Sequence, residues 1–507
     1  MKKIFLTFVF AALLISCSED FLDSDLQSIV TDDDIARLAE ESPEALLNVA
    51  TSFDAGTINS LRTYAVADDG GHFDYGQKSV DLMMDIMSND MINDGNGWWY
   101  DDYYKYTGRT QERRETTVIW NTYYAVIKGA NQTIGLVGGL EESQLTDDLN
   151  YVLARSKIIR AFAYMQLIQI YQKGKPALSD SGVPIVDPSA DLVNGPGFPR
   201  LTVGEVYTQI EKDLTEGYVN LDGYARPDKT SINKNIAAGF LARYYLLTED
   251  YSKAASYAVE AQSEGQLTGI LDDGFQFISN PEWIWGADLD ADKSTYYASF
   301  MAHVQSYSPV FNAAAGYTPG YTGQLGHHKT VDRRLYEEVS DTDVRKAWFG
   351  PHNDRNILGA SDDQIYNFKF YDNTFFEADY VYMRAAEFYL IEAEAKAAMG
   401  DDAGAATALF NLVSTRDSNY TPSTKTGTEL MEEIRTHRRI ELWGEGFGLF
   451  DMKRWGVGLN RVYNGSNHPN TPGSYFDLEV GSPLFTFQIP EAEINSNDAI
   501  SASDQNP

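Results

Sequence analysis

The sequence is poor in two residue classes, cysteine and the basic residues, and each shortage excludes a class of function. Its 507 residues include one cysteine, Cys17, so neither a disulfide within the chain nor a cysteine-based zinc site can form. Lysine and arginine total 40 against 74 aspartates and glutamates, which gives a formal net charge of −34. Because nucleic-acid affinity comes from cations on phosphates, this balance argues against nucleic acid as a partner. It also argues against docking on anionic lipid through a basic face.

Long apolar runs are scarce as well, and the one at the N-terminus is short. It covers 4–15 after Lys2 and Lys3, too short for a bilayer span of about 20 residues, and is typical of a signal peptide. It ends in Leu-Ile-Ser-Cys, which resembles the bacterial lipobox and implies cleavage before Cys17 and acylation of that residue. We therefore predict a lipoprotein signal peptide over 1–16 and a lipidated tether over 17–40. An ordinary secretory signal with an incidental cysteine is the alternative.

What the sequence does contain is enough apolar and aromatic residues for a large core. Hydrophobic residues make up 43% and aromatic residues 13% of the chain, with 32 Tyr, 25 Phe and 8 Trp. Apolar residues recur at helical spacing over 116–137 and 152–171. Thr202 and Glu205 form a capping-box pattern that predicts a helix running to about Leu221. These patterns predict a mainly α protein, with a single domain over 41–507.

Two segments of this domain repeat one another. Ala242 and Ala254 flank a Thr-Glu-Asp turn, and Ala393 and Ala405 flank a Gly-Asp turn at the same separation. Small residues where two helices cross, joined by a tight turn, are the tetratricopeptide pattern. Two unrelated helical hairpins are the alternative, but the alignment of the turn and both alanine positions favours a repeat.

Two stretches lack long helical periodicity, 68–109 and 265–378, and both are rich in Gly, Asp, Asn and Tyr. Trp283-Ile284-Trp285 predicts a short buried strand within the second. Long irregular segments in a helical scaffold usually carry function. We therefore predict that the functional loops lie in these two stretches.

The stretch 438–455, Arg-Arg-Ile-Glu-Leu-Trp-Gly-Glu-Gly-Phe-Gly-Leu-Phe-Asp-Met-Lys-Arg-Trp, is similar to the signature of the SusD/RagB family of bacterial outer-membrane lipoproteins. The resemblance runs from Cys17 to about Pro507. The helix from Tyr382 to Ala395, the segments Arg160-Ala161-Phe162 and Asp213-Leu214, and the closing Pro490–Ile494 stretch match in order. Trp443 and Gly448 depart from the larger polar or aromatic residues usual near the signature.

The resemblance implies tetratricopeptide-like helical pairs with long loop excursions and a few short strands. It implies a cell-surface lipoprotein of the outer membrane that captures oligo- or polysaccharide for a SusC-like TonB-dependent transporter. It implies a binding protein and not an enzyme, without cofactor. A peptide-binding lid of the RagB type and a surface glycoside hydrolase are the alternatives. We interpret the charged signature (Arg438, Arg439, Glu441, Glu445, Asp451, Arg454) as a structural ion-pair network and not a catalytic cluster.

The predicted ligand contacts are aromatic side chains in the loops, because a flat ring covers the C–H face of a pyranose while polar side chains pair with its hydroxyls. In the first loop, the segment Asn-Asp-Gly-Asn-Gly-Trp-Trp-Tyr at 93–100 predicts a tight turn that presents Asn96, Trp98, Trp99 and Tyr100. In the family, this early loop commonly contributes ligand contacts. The alternative is that Trp98 or Trp99 fills the core beneath the loop.

In the second loop the predicted contacts are Tyr296, Tyr317, Tyr321 and His327, with Tyr297 beside them. The pair His327-His328 lacks the accompanying motif of a metal site, so we interpret it as hydrogen-bonding to ligand or backbone. Asp288, Asp290 and Asp292 begin a calcium loop that Lys293 and Ser299 leave incomplete. The sequence therefore predicts no metal site, and places Trp283, Trp285, Trp348, Trp443 and Trp455 in the core.

Overall fold

A computed structural model describes residues 37, 41–67, 71–189, 195–269, 271–307, 320–353, 355, 357–470 and 473–507. The predicted signal peptide, Cys17, nearly all of the tether and Tyr317 lie outside these residues. None of the described helices is both long and apolar enough to span a bilayer.

The described residues form sixteen α-helices joined by loops and short strands. Their bounds are Pro43–Ser60 (α1), Gln77–Ile86 (α2), Asp101–Tyr104 (α3), Arg114–Gly138 (α4), Asp147–Ile170 (α5), Val203–Asn220 (α6), Lys234–Leu247 (α7), Tyr251–Gln262 (α8), Phe300–Val304 (α9), Tyr321–Gln324 (α10), Arg333–Glu338 (α11), Ala385–Ala398 (α12), Asp402–Val413 (α13), Gly427–Glu441 (α14), Gly448–Trp455 (α15) and Glu491–Ser496 (α16).

The longer helices pack in an array that follows the order of the chain. α1 packs on α4, then α4 on α5, α5 on α6, α6 on α7 and α7 on α8, and α8 packs on α12, which in turn holds α13 and α14. The helices predicted over 116–137 and 152–171 are confirmed as α4 and α5. The predicted capping box at α6 is also present: the Glu205 carboxylate accepts a hydrogen bond from the Thr202 N–H at 2.8 Å, and the Thr202 hydroxyl accepts one from the Glu205 N–H.

The predicted repeat is confirmed. α7 and α12 each have 14 residues, α8 and α13 each have 12, and three residues separate the helices in both pairs. All four alanines singled out in the sequence, at 242, 254, 393 and 405, are fully buried where the helices cross. The second helix of each pair begins with an aspartate N-cap, Asp250 or Asp401.

Ten short strands tie the loops to this array. They are Met91–Asn93 (β1), Ser181–Pro184 (β2), Arg200–Thr202 (β3), Trp283–Ala287 (β4), Lys329–Val331 (β5), Phe349–Gly350 (β6), Tyr366–Asn367 (β7), Tyr380–Arg384 (β8), Leu459–Asn460 (β9) and Asp477–Leu478 (β10). The largest described sheet has the order β1-β5-β7-β6, and β2–β3, β4–β8 and β9–β10 form antiparallel pairs. The buried strand predicted at Trp283 is β4.

Four of the five tryptophans that the sequence places in the core are buried there: Trp283, Trp285, Trp348 and Trp443. Trp455 is half-buried at the end of α15, where its indole N–H donates to Glu394 at 2.9 Å.

Candidate functional site

Pairing of β1 with β5 brings the two predicted loops together. The strands are antiparallel, with Asn93 opposite Lys329, so the chain leaving β1 meets the chain entering β5. The Asp94 N–H donates to the His328 carbonyl at 3.2 Å, and the His328 N–H donates to the Asp94 carboxylate. The turn at 94–98 therefore lies against the segment at 327–328, although more than two hundred residues separate them in sequence.

Trp98 and His327 form the first aromatic contact of this site. Their ring centroids are 4.6 Å apart, with 39° between the planes. A Cβ added to Gly95 would lie 3.1 Å from the His327 Cβ, so the glycine lets the turn approach the histidine closely. Trp98 is 38% exposed, which leaves part of its indole surface open to a ligand.

Beside this pair, four rings follow one another in a row. Trp99 stacks on His72 with centroids 4.8 Å apart and 10° between planes. His72 contacts Tyr321 at 5.2 Å, and Tyr321 contacts Tyr297 at 5.1 Å. The row begins half-buried at Trp99 and ends at Tyr297, which is 47% exposed.

Tyr296 extends this aromatic surface and is 50% exposed. Tyr296 and Tyr297 both pack edge-on against Phe376, with centroids 6.0 and 5.4 Å away. We call the following set the aromatic platform: His72, Trp98, Trp99, Tyr296, Tyr297, Tyr321 and His327.

The prediction for Tyr100 was wrong, because this side chain points into the core. Tyr100 is 2% exposed, its hydroxyl donates to the Tyr75 hydroxyl at 2.6 Å, and it lies 2.9 Å from the Ser79 hydroxyl. After the turn presents Trp98, the chain folds inward to start α3, with Tyr100 at its N-cap. Asn96, by contrast, is exposed and accepts a hydrogen bond from Lys105 at 2.8 Å.

The sequence analysis missed His72, which joins Trp99 to Tyr321, and His303, which lies beneath the row. His303 is fully buried, stacks on Tyr75 at 6.0 Å and meets His72 edge-on at 5.9 Å. Each is a lone histidine with no motif around it, so no pattern in the sequence marks either one. His328 is also buried, and its Nε2 lies 2.9 Å from the Leu358 carbonyl oxygen, the backbone contact that was predicted for this histidine pair.

The floor of the platform holds polar groups with unused hydrogen-bonding capacity. The Asn93 amide is 2% exposed, and neither its oxygen nor its nitrogen has a partner among the described residues; the Trp99 indole N–H is also unpaired there. Burial raises the pKa of Asp94 to about 6, although the His328 N–H and Lys329 act in the opposite direction. Burial lowers the pKa of Lys329 to about 8, against the attraction of Asp94 and Asp101.

The charged signature lies elsewhere and forms a buried ion-pair network. Glu441 is fully buried and accepts hydrogen bonds from Arg345, Arg384 and Arg416 at 2.8, 2.6 and 3.0 Å. Arg384 also binds Glu282 at 2.6 Å, and Arg416 binds the same carboxylate at 2.8 Å. The network joins α14 to β4, β8 and the segments around Arg345 and Arg416, which is the structural role predicted from the sequence. Glu441 binds arginines distant in sequence, whereas Arg454 pairs at 2.9 Å with Asp451, three residues before it in α15.

In the described part of the chain, no group of three histidine, cysteine, aspartate or glutamate side chains converges as a metal site. Asp290, in the incomplete calcium loop, instead pairs with Lys293 at 2.7 Å.

Comparison with known families gives two matches that together span most of the chain. Residues 282–507 match a model described as the SusD family, and residues 41–246 match one described as starch-binding, associating with outer membrane. No curated protein matches the chain.

Several solved structures share the fold. A SusD-like carbohydrate binding protein from Bacteroides vulgatus is 24% identical, covers 91% of this chain and 98% of its own, and has a TM-score of 0.76. A SusD superfamily protein from Bacteroides thetaiotaomicron is 22% identical, with coverages of 91% and 99% and a TM-score of 0.75. Surface glycan-binding protein A from Bacteroides fluxus is 15% identical, with the same coverages and a TM-score of 0.67.

Proposed function

Because this chain belongs to the SusD family of carbohydrate-binding proteins associated with the outer membrane, we propose that it captures oligo- or polysaccharide at the cell surface. In this proposal Cys17 carries the lipid anchor, and a SusC-like TonB-dependent transporter receives the glycan. Binding is noncovalent and needs no cofactor, and the protein does not cleave its ligand.

The observation that carries the proposal is the aromatic platform. Two irregular loops, far apart in sequence, converge to place Trp98, Tyr296 and Tyr297 at the surface with 38–50% of each side chain exposed. A protein seldom leaves several large aromatic rings open on adjoining loops unless they bind something. Flat rings suit the apolar C–H face of a pyranose.

Polar groups beside the rings suit the hydroxyl rim of the same sugar. Asn96 is exposed on the turn that carries Trp98, and Lys105 donates to its side-chain oxygen at 2.8 Å. The asparagine amide supplies a donor and an acceptor, and the lysine supplies further donors, as a hydroxyl-bearing ligand requires. If one ring removes about 100 Å² of apolar surface, the gain is at most about 2.5 kcal/mol. The expected affinity is therefore modest, which suits a protein that releases its ligand to a transporter.

The test is calorimetric titration of the protein starting at residue 18 against neutral and acidic polysaccharides and peptides. We expect binding to at least one polysaccharide, and we expect Trp98→Ala to weaken it about tenfold or more, since the indole face is lost. Tyr475→Ala is the matched control, because Tyr475 is 43% exposed but lies outside the platform. The Tyr475→Ala variant should bind the polysaccharide with the same affinity as the parent protein.

Three outcomes would contradict parts of this proposal. Equal loss in the Trp98 and Tyr475 variants would exclude the platform as the site. Binding of peptides alone would favour a lid of the RagB type. New reducing ends in the titrated samples would reveal a glycoside hydrolase.

A further inference from the structure

A second concave site lies at the charged signature, away from the platform loops. It is a cleft of about 400 Å³ between α14, α15, the end of α2 and the start of β1. Its volume falls within the range of small-molecule pockets. The family comparisons describe a starch-binding protein and give this cleft no role.

Two arginines of α14 line the cleft with donors that the protein leaves unused. Arg438 is 3% exposed, and its one side-chain hydrogen bond to the described residues runs from Nε to Asp451 at 2.7 Å. Its Nη1 is buried and has no partner in the described part of the chain. Arg435, one turn earlier, donates from Nη1 to Glu432 at 2.7 Å, and its Nε is likewise buried with no partner among those residues. Buried guanidinium groups normally have their donors paired, so these free N–H groups require an acceptor.

Of the five acidic side chains that line the cleft, the buried ones, Asp85, Asp90 and Asp451, already have partners, while Glu338 and Glu432 are exposed to solvent. Both oxygens of Asp90 accept from Arg439, and Asp451 accepts from Arg438 and from Arg454 Nε at 2.9 Å. Asp85 accepts from the N–H groups of Gly446 and Gly448 at 2.9 and 2.7 Å. Among the buried polar atoms of the described lining, the unused hydrogen-bonding capacity therefore lies with the arginine donors.

The same two arginines lie over aromatic rings that form an apolar wall. The Arg435 guanidinium carbon is 5.2 Å from the Trp455 ring centroid, and that of Arg438 is 5.0 Å from the Phe447 centroid. Met452 and Leu442 also line the cleft. A ligand here meets guanidinium edges on one side and apolar surface on the other.

We propose that this cleft is a second ligand site for a small organic carboxylate with a partly apolar or C–H-rich body. The two oxygens of a carboxylate match the paired N–H groups of a guanidinium edge, and water is already excluded from Arg438. The carboxylate could belong to a sugar acid or to the end of a peptide. This site is independent of the platform and of the function proposed for it.

The experiment is calorimetric titration of the protein starting at residue 18 with two matched pairs of probes. Glucuronate is compared with glucose, and an N-acetylated leucyl dipeptide with its C-terminal amide. We expect at least one carboxylate to bind with a Kd of about 1 mM, and its neutral counterpart to bind at least about tenfold more weakly. The pair that shows this difference identifies the source of the carboxylate. No carboxylate binding at about 10 mM would overturn the proposal.

Arg435 supplies the decisive variants, because its side chain is partly exposed and its replacement leaves the buried network intact. Arg435→Ala should weaken carboxylate binding at least about fivefold, and Arg435→Lys should restore part of it. Glu432→Gln removes the exposed partner of Arg435 and leaves the donors, so binding should stay equal or tighten. Trp98→Ala should leave the affinity for the carboxylate unchanged. Carboxylate binding that depends on Trp98 and not on Arg435 would place the ligand on the platform and overturn the proposal.

Discussion

At the level of single residues, Glu445 shows how the buried network holds a charge. One of its oxygens accepts from Lys369 at 2.6 Å and from Arg384 at 2.8 Å, and the other accepts from Arg384 Nε at 2.8 Å. Burial by itself would raise the pKa of Glu445, but Arg384 and then Lys369 outweigh burial and lower the pKa to about 2. The ionised carboxylate is therefore the form that the fold requires.

We predict that Glu445→Gln lowers the free energy of unfolding at pH 7 by about 2–4 kcal/mol, because the buried cations lose their counter-charge. The folded pKa is depressed below the ordinary value of 4.5, so the stabilisation is present above about pH 4.5 and is lost as the pH falls towards 2. Urea unfolding of both proteins across this range measures the effect. The difference between them should be constant near neutral pH and shrink in acid; a difference that stays constant down to about pH 2.5 would contradict the assignment.

Residue chemistry in the sequence identified most of the platform but not the direction of each side chain. Trp98 and Tyr100 lie in one aromatic segment, yet the first is at the surface and the second is in the core. Backbone conformation decides this, since Tyr100 has a left-handed φ of 71° that composition does not reveal. His72 was missed because its role depends on Trp99 and Tyr321, which only the fold brings to it.

At the level of elements, the two repeated hairpins differ at one equivalent position of their turns. Gly400 has φ 79° and Glu249 has φ 63°, each immediately before the aspartate N-cap of the second helix. Glycine adopts this left-handed conformation without strain, whereas for a residue with a Cβ the same conformation costs about 1 kcal/mol of folding free energy. Glu249 pairs with Lys175 at 2.6 Å, but both side chains are at least half exposed, so the pair contributes little.

We predict that Glu249→Gly raises the free energy of unfolding by about 0.5–1 kcal/mol, and that Gly400→Ala lowers it by about 1 kcal/mol. The opposite signs follow from exchanging the two residue types at equivalent positions. Urea-unfolding midpoints measure both changes. Lys175→Ala is the control, since it removes the ion pair and leaves the turn unchanged. If Glu249→Gly is as destabilising as Lys175→Ala or more so, the ion pair and not the backbone governs this position.

Most helices could be predicted from the sequence and most strands could not, because the strands are too short to show a periodic pattern. α4, α5 and both hairpins carry several turns of apolar periodicity or a complete turn motif within the sequence. β1 and β5 have three residues each, too few for alternation to appear, and their pairing joins residues 93 and 329. β4 was predicted because two tryptophans flank an isoleucine. The meeting of the two platform loops therefore could not be inferred from local sequence.

At the level of the whole molecule, long-range ion pairs hold the loops to the helical array. Arg439 of α14 binds both oxygens of Asp90, and the Trp443 indole N–H donates to the Asp90 carbonyl at 3.0 Å. Asp90 directly precedes β1, which leads into the turn carrying Trp98. The C-terminal signature thus anchors the strand that supports the platform.

This arrangement predicts that Arg439→Ala reduces stability and folding yield without a selective loss of ligand binding. Removing the guanidinium leaves the Asp90 carboxylate, 12% exposed, without its partner, at a cost of about 2–4 kcal/mol. Urea unfolding and the yield of folded monomer measure that cost, and calorimetry on the folded fraction should give a glycan affinity within about twofold of the parent protein. Arg435→Ala, on the same helix, should unfold like the parent. A fully stable Arg439→Ala protein that no longer binds glycan would show instead that the signature contacts the ligand.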